Sequence, residues 1–107
     1  MVGDIYYITM PYSNFTKAKG RPVLLFQNIS KDDLLVLPLT SNLQKEGIVI
    51  TNEDIKDGSL KKESVVIVPK LTAVDSSLIL GSRFIASLKD ESFSKIRKEL
   101  CLQLKCL

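Results

Sequence analysis

The residue types in this chain restrict the chemistry it can carry out. The 107 residues include no histidine, which removes imidazole as an acid, a base or a metal ligand. The two cysteines, Cys101 and Cys106, match neither a redox pair nor a zinc knuckle in their spacing, and no cluster of thiolates and carboxylates suggests a zinc site. Arginine, lysine and hydroxyl side chains remain. Arg21 stands just before one apolar run, and Thr40 and Ser41 end and follow another.

Side chains of these types can bind phosphate, although nothing in composition or spacing singles out these three from the other arginines and hydroxyls of the chain. A guanidinium at Arg21 would meet two phosphate oxygens at once and keep its charge at any working pH. The hydroxyls of Thr40 and Ser41 would donate hydrogen bonds to a phosphate oxygen. The alternative for Arg21 is an ordinary surface arginine. For the two hydroxyls it is a turn in which they bond their own backbone.

The charge of the chain is unevenly distributed. The net charge is +3, with a basic excess in residues 1–22 and 61–107 and an acidic excess between them. If the two basic segments meet in space, they form a face suited to phosphates; the alternative is ordinary solvated surface. No apolar run approaches the roughly 20 residues that span a bilayer, and the N-terminus lacks the layout of a secretory signal. A cytoplasmic location is therefore expected.

Short apolar, β-branched runs predict the strands that position these residues. The predicted strands cover residues 3–9, 21–28, 34–40, 47–51 and 63–68. Because proline lacks an N–H for the ladder, Pro22 is expected at the start of its strand. Residues 11–20 are predicted to be a long loop and residues 52–62 a polar connection with a turn at Asp57-Gly58. Residues 71–75 and 78–80 fit either strand or helical turn.

The C-terminal part of the sequence predicts a helix. Acidic residues at 90 and 91 suit its first turn, Ser87 could cap it, and an apolar stripe follows at Phe93, Ile96, Leu100 and Leu104. Strands first and a helix last predict a mainly β (α+β) fold. We expect an SH3-like small barrel of about five to seven antiparallel strands with a C-terminal α-helix, in one domain over residues 1–107.

Four segments, taken in order, resemble the MazF/PemK family of toxin endoribonucleases, the mRNA interferases of type II toxin–antitoxin systems. They read GDIYYITMPYSNFTKAKGRPVLLFQN, LLVLPLTSN, SVVIVPKLTAVDSSLILG and SLKDESFSKI, and they extend over nearly the whole chain. The family layout is a Gly-Asp opening, a strand, a loop, Arg-Pro entering an apolar strand, a strand ending in Pro-x-Thr-Ser, and a final helix.

The resemblance implies an SH3-like barrel and a two-fold homodimer that binds single-stranded RNA in a groove. It also implies cleavage without metal or cofactor, neutralisation by a cognate antitoxin, and contact with operator DNA only through the antitoxin complex. It places the active pair at Arg21 and Thr40, with Ser41 adjacent. Such cleavage needs a base for the 2′-OH, donors for the charged phosphate and an acid for the leaving oxygen; Arg21 suits the second task.

RNA-binding candidates lie in the predicted loop and near it. Tyr12 and Phe15 could stack on splayed bases. The other candidates are a loop hydroxyl and three lysines that could contact the backbone: Thr16, Lys17, Lys19 and Lys70. One departure from the family stands out. Where several members carry an arginine, an acidic residue and Gln around the fifth strand, this chain has Ile67, Pro69 and Lys70.

Two rival functions share this fold. The first is a non-catalytic toxin that binds a protein, like the CcdB gyrase inhibitors, but those have a Trp-Gly-Ile tail and this chain contains no tryptophan. The second is a catalytically inactive relative that binds RNA, which the missing acidic residue at Pro69 would suit. Incubation with a long RNA in EDTA distinguishes them from the nuclease.

Overall fold

The computed structural model describes residues 1–11, 18–80 and 82–105. In these ranges eight strands form one antiparallel, curled half-barrel sheet, and a C-terminal helix packs against it. The strands are β1 (Asp4–Pro11), β2 (Ala18–Asn28), β3 (Asp33–Thr40), β4 (Ile48–Ile50), β5 (Ile55–Gly58), β6 (Ser64–Val66), β7 (Thr72–Asp75) and β8 (Arg83–Leu88). The helices are α1 (Ser76–Leu80) and α2 (Asp90–Leu104), with 3₁₀ helices at Asn52–Asp54 and Val68–Lys70. The predicted mainly β fold with a C-terminal helix is confirmed.

The sheet divides along β3. The order of the strands across the sheet is β4-β6-β3-β2-β1-β8-β5, and β7 also pairs with β3. The first half of β3 pairs with β7, for example Leu34 with Val74, whereas Thr40 at its end pairs with Val65 of β6. Pairing between β2 and β3 ends at Val23–Pro38. Beyond that pair, β2 continues beside β1 and β3 continues beside β6, so the two halves of the sheet separate.

The core occupies both faces of β2 and β3, which explains why these strands are apolar at almost every position. Leu24 and Leu37 join a cluster that Ile96 and Leu100 of α2 complete. A second cluster, on the opposite face, is formed by Ile8, Val23, Leu25, Leu34, Val36 and Val74, with α1 packed against it. The C-terminal helix therefore holds the strands that carry Arg21 and Thr40.

Two predicted connections are strands in part. Residues 18–20, expected in a loop, belong to β2, and Asp57 and Gly58, expected to form a turn, belong to β5, where Gly58 pairs with Ala86 of β8.

Three further local expectations were wrong. Pro22 was expected to start its strand, but it lies inside β2, which begins at Ala18. It pairs with Tyr7 of β1 on one side. On the side of β3 the pairing has already ended at Val23, so no N–H is needed there. Ser87 belongs to β8 and donates to Asp4, and α2 begins after Lys89 without a side-chain cap. Leu104 is 61% exposed because the buried stripe of α2 ends at Leu100.

Candidate active site

An open cavity of about 680 Å³ lies where the sheet divides. Strands β1, β2, β3, β6 and β8 contribute to its wall, together with residues 59–62. It is lined by Tyr7, Gly20, Arg21, Pro22, Leu39, Thr40, Ser41, Ser59, Leu60, Lys61, Lys62, Ser64, Arg83, Phe84 and Ile85. Residues from both ends and the middle of the chain therefore meet here.

The cavity is cationic. Four basic side chains line it, and no carboxylate is among its described lining residues. The basic residues come from the two segments whose basic excess was noted in the sequence: Arg21 from the first, and Lys61, Lys62 and Arg83 from the second. A concave surface of one charge sign concentrates ions of the other sign, so this cavity favours an anionic ligand.

Arg21 and Thr40 occupy equivalent positions on the two separating strands. Each lies two residues beyond the last β2–β3 pair, Val23–Pro38, and both line the cavity. On its other side Arg21 pairs with Ile8 of β1, which is buried. The guanidinium of one strand and the hydroxyl of the other are thus held by two well-packed strands rather than by mobile loops.

The Thr40 hydroxyl takes part in a turn, and the residue also lines the cavity. Its Oγ1 accepts a hydrogen bond of 3.2 Å from the Asn42 backbone N–H. This is the turn contact that the sequence offered as the alternative for Thr40. The two interpretations are compatible, because an oxygen that accepts one bond can still donate its own hydrogen. Ser41, which is exposed, lines the cavity beside it.

An aromatic ring and an arginine form another part of the wall. Tyr7 pairs with Arg83 across β1 and β8, and the Arg83 Cζ lies 5.2 Å from the centre of the Tyr7 ring. The ring covers Gly20, where an added Cβ would overlap its atoms. Glycine is therefore needed at residue 20 to make room for the ring. Tyr7 remains 41% exposed.

Within residues 59–62, the backbone of Leu60 is held by an amide side chain. The Asn52 Nδ2 donates to the Leu60 carbonyl at 3.1 Å, and the Asn52 Oδ1 accepts from the Leu60 N–H at 2.7 Å. Leu60 is buried, so the following Lys61 and Lys62 are held at the rim of the cavity. A flexible lysine side chain thus starts from a fixed backbone.

The 3₁₀ helix that carries Asn52 is itself bonded to the start of α2. Thr51 and Asp54 form a capping box around the 3₁₀ helix that contains Asn52. The second carboxylate oxygen of Asp54 accepts a 2.8 Å hydrogen bond from the Ser92 hydroxyl, and its backbone carbonyl accepts from the Lys89 N–H, also at 2.8 Å. The lysines at the rim are therefore positioned through the start of the C-terminal helix.

Phe84 supplies an exposed aromatic surface to the same cavity. It is 46% exposed and meets the half-buried Tyr6 edge to face, with ring centres 6.1 Å apart. The Tyr6 hydroxyl donates to Asp4, and Ser87 donates to the other oxygen of that carboxylate at 2.6 Å. Burial of the phenol, and next the charge of Asp4, raise the pKa of Tyr6.

The structure brings three of the residues nominated from the sequence together: Arg21, Thr40 and Ser41 line one cavity. Lys70 ends the second 3₁₀ helix, is exposed, and is not among the lining residues. Lys19 lies in β2, paired with Met10. Tyr12, Phe15, Thr16 and Lys17 lie outside the described residues.

Five lining residues that could bind an anion or stack on a base were not nominated from the sequence: Tyr7, Lys61, Lys62, Arg83 and Phe84. The Lys61-Lys62 doublet in the polar segment 52–62 was one available signal. The basic excess of residues 61–107 was another. Nothing local indicates Arg83 or Phe84, because the pairing of β8 with β1 brings them to the site from the far end of the chain.

In the ranges 1–11, 18–80 and 82–105, no three histidine, cysteine, aspartate or glutamate side chains are grouped so as to hold a metal ion. Among the helices of those same ranges, none has the length and apolar character needed to cross a membrane.

Known proteins share this fold and this sequence pattern. The crystal structure of MazE-MazF (Form-II) from Deinococcus radiodurans is similar, with a TM-score of 0.73 and 16% identity, over 99% of this chain and 96% of that one. MazF (Form-I) from the same organism has a TM-score of 0.70 and 16% identity, over 97% and 94% of the two chains. No curated protein sequence matches significantly. The profile of the PemK-like, MazF-like toxins of type II toxin–antitoxin systems matches residues 1–104, and the chain belongs to that family.

Proposed function

We propose that this toxin is a sequence-specific endoribonuclease that cleaves single-stranded RNA, mRNA in particular, without a metal ion. The observation that carries the proposal is the cavity at the dividing sheet. It combines Arg21, Thr40 and Ser41 with three further cations and has no carboxylate among its described lining residues. Membership of the PemK-like, MazF-like toxin family supports the same reaction.

The proposed reaction uses a nucleophile that the substrate already contains. The 2′-oxygen of a ribose attacks the adjacent phosphorus, and the bond from phosphorus to the 5′-oxygen of the next nucleotide breaks. The 2′-hydroxyl loses its proton and the leaving 5′-oxygen gains one, so the products are a 2′,3′-cyclic phosphate and a 5′-hydroxyl. Negative charge accumulates on the non-bridging phosphate oxygens during the attack.

In this proposal Arg21 and the two hydroxyls act on the phosphate. The planar guanidinium of Arg21 donates to the non-bridging oxygens, and Thr40 and Ser41 add neutral donors from the neighbouring strand. A guanidinium in its charged form is a poor base. Much of the acceleration therefore comes from orientation, which holds the 2′-oxygen in line with the bond that breaks, and from stabilisation of the charge on the phosphate.

The remaining predictions concern how RNA and proteins are bound. Tyr12, Phe15, Thr16, Lys17, Lys19 and Lys70 stay proposed RNA contacts. We also propose that the toxin acts in the cytoplasm as a homodimer, is neutralised by a cognate antitoxin, and reaches operator DNA only through the antitoxin complex. The antitoxin is supported by the family and by the MazE-MazF complex among similar structures.

Incubation of the purified protein with a long single-stranded RNA in excess EDTA tests the proposal. We expect discrete fragments whose 3′ ends carry a cyclic phosphate, and loss of cleavage with Arg21→Ala. The control is the same RNA with 2′-O-methyl riboses, which cannot supply the nucleophile and should stay intact. Binding of RNA without any cleavage would favour the inactive, RNA-binding alternative, and a strict need for Mg²⁺ would refute the proposed reaction.

A further inference from the structure

We propose that Arg83 binds an RNA backbone phosphate in the cavity, and that the ring of Tyr7 is the positioning residue for its guanidinium. The inference rests on the proposed function, since it takes RNA as the ligand. It adds a phosphate contact from β8, at the opposite end of the chain from Arg21.

The geometry of the Arg83–Tyr7 pair leaves the arginine donors available. The Arg83 Cζ lies 5.2 Å from the centre of the Tyr7 ring, within the range of a cation–π contact. Such a contact involves the arginine and the face of the aromatic ring, so the N–H donors of the guanidinium are not consumed by it. The Arg83 guanidinium can therefore stay on the ring and still donate hydrogen bonds to a phosphate.

The surroundings of Arg83 point to a ligand that comes from outside the protein. Among the described residues, no carboxylate lies within ion-pair distance of Arg83. The residue is exposed and lines the cavity with three other cations. Gathering like charges in one cavity has an energetic cost that an anionic ligand would relieve. A nucleic acid strand, with one phosphate per nucleotide, supplies several anions at suitable spacing.

The ring of Tyr7 also packs against the backbone of β2 at Gly20. It covers Gly20, where a Cβ would overlap the ring, and it pairs with Arg83 in the register of β1 and β8. The ring therefore cannot move towards β2, and Gly20 gains a reason to be glycine that does not depend on its backbone angles. Gly20 is followed directly by Arg21, and both residues line the cavity.

The α2 helix provides a matched control. Arg97 is also exposed and also lies over an aromatic ring, with its Cζ 4.9 Å from the centre of Phe93. It does not line the cavity. Arg97→Gln therefore removes the same charge and the same kind of contact, but from a surface that the proposal does not assign to RNA.

The experiment measures binding separately from cleavage. A fluorescent, mixed-sequence single-stranded RNA with 2′-O-methyl riboses is titrated with parent and variants at several salt concentrations. Arg83→Gln should weaken binding roughly tenfold, the contribution of a charge-assisted hydrogen bond. It should also reduce the slope of log affinity against log salt by about 0.7, the value for one phosphate contact on a single strand. Arg97→Gln should leave the slope unchanged.

The role of Tyr7 is tested with the same probe. Tyr7→Phe keeps the ring and should bind RNA like the parent, whereas Tyr7→Leu should reproduce the loss seen with Arg83→Gln. The double variant should be no weaker than either single one, because both remove the same contact. The proposal is overturned if Arg83→Gln has the slope of Arg97→Gln, or if the parent does not bind the RNA. Binding by a parent that never cleaves unmodified RNA would refute the proposed nuclease and leave the Arg83 contact standing.

Discussion

Arg21 and Thr40 each lie two residues beyond Val23–Pro38, the pair at which β2 and β3 stop bonding to each other. The two residues thus face a gap between strands that are paired to other neighbours, β1 and β6. An interrupted ladder provides space for a ligand without weakening either strand.

Arg21→Ala should lower the rate of RNA cleavage by roughly 10² to 10³, which is the cost of losing one donor to a charged transition state. Arg21→Lys should recover only part of that loss, because an ammonium lacks the planar fork. Thr40→Ala should also slow cleavage. Rates are measured under single-turnover conditions, with Arg97→Ala as the surface control. If Arg21→Ala and Thr40→Ala both cleave RNA at the rate of the parent, the active site does not lie at these residues.

Asn52→Ala should destabilise the protein by about 1–3 kcal/mol, because it leaves the Leu60 N–H and carbonyl without their partner in a partly buried site. RNA binding should weaken as well, since Lys61 and Lys62 follow Leu60. Urea unfolding measures the first effect and RNA titration the second. Asn28→Ala, an exposed change at the end of β2, is the control. Equal stability of the two variants would contradict the importance of the amide contact.

Tyr6→Phe should alter how stability depends on pH. Burial and Asp4 raise the pKa of Tyr6 in the folded state, so folding favours the protonated phenol. The resulting stabilisation is complete below the ordinary value of about 10 and is lost as pH rises through the higher folded value. Urea midpoints at pH 7 to 11 should fall more steeply above pH 10 for the parent than for Tyr6→Phe. Parallel curves would show that Tyr6 does not contribute.

The toxin should form a symmetric dimer of about 24 kDa, twice the chain mass of 11.9 kDa. Strands β4 and β5 are the outer strands of the sheet order, and Val49 of β4 is exposed. Unpaired strand edges favour association with another surface. Light scattering at micromolar concentration gives the mass. A strict monomer there would contradict the prediction.

Patterns along the sequence predicted the strands with buried, β-branched runs and the helix with an apolar stripe. They missed β5 and β8, and the reason is physical. Ile55 is the only buried residue among the four of β5, and β8 begins with the exposed Arg83 and Phe84. Such strands are defined by their partners rather than by their own composition. The charge distribution suggested a basic face, and the resemblance nominated Arg21, Thr40 and Ser41. Arg83 could be assigned to the cavity only from the structure, because the pairing of β8 with β1 brings it there.

The pairing of β1 with β8 also determines when the cavity can exist. Asp4 pairs with Ser87, and the lining residues Arg83 and Phe84 reach the cavity through that same pairing. A nascent chain whose C-terminal part is still inside the ribosome has the first three strands but not this wall. Contacts of such long sequence separation form slowly, because closing a long loop has an entropic cost. The cavity therefore cannot be complete until the segment that contains β8 has left the ribosome and paired with β1.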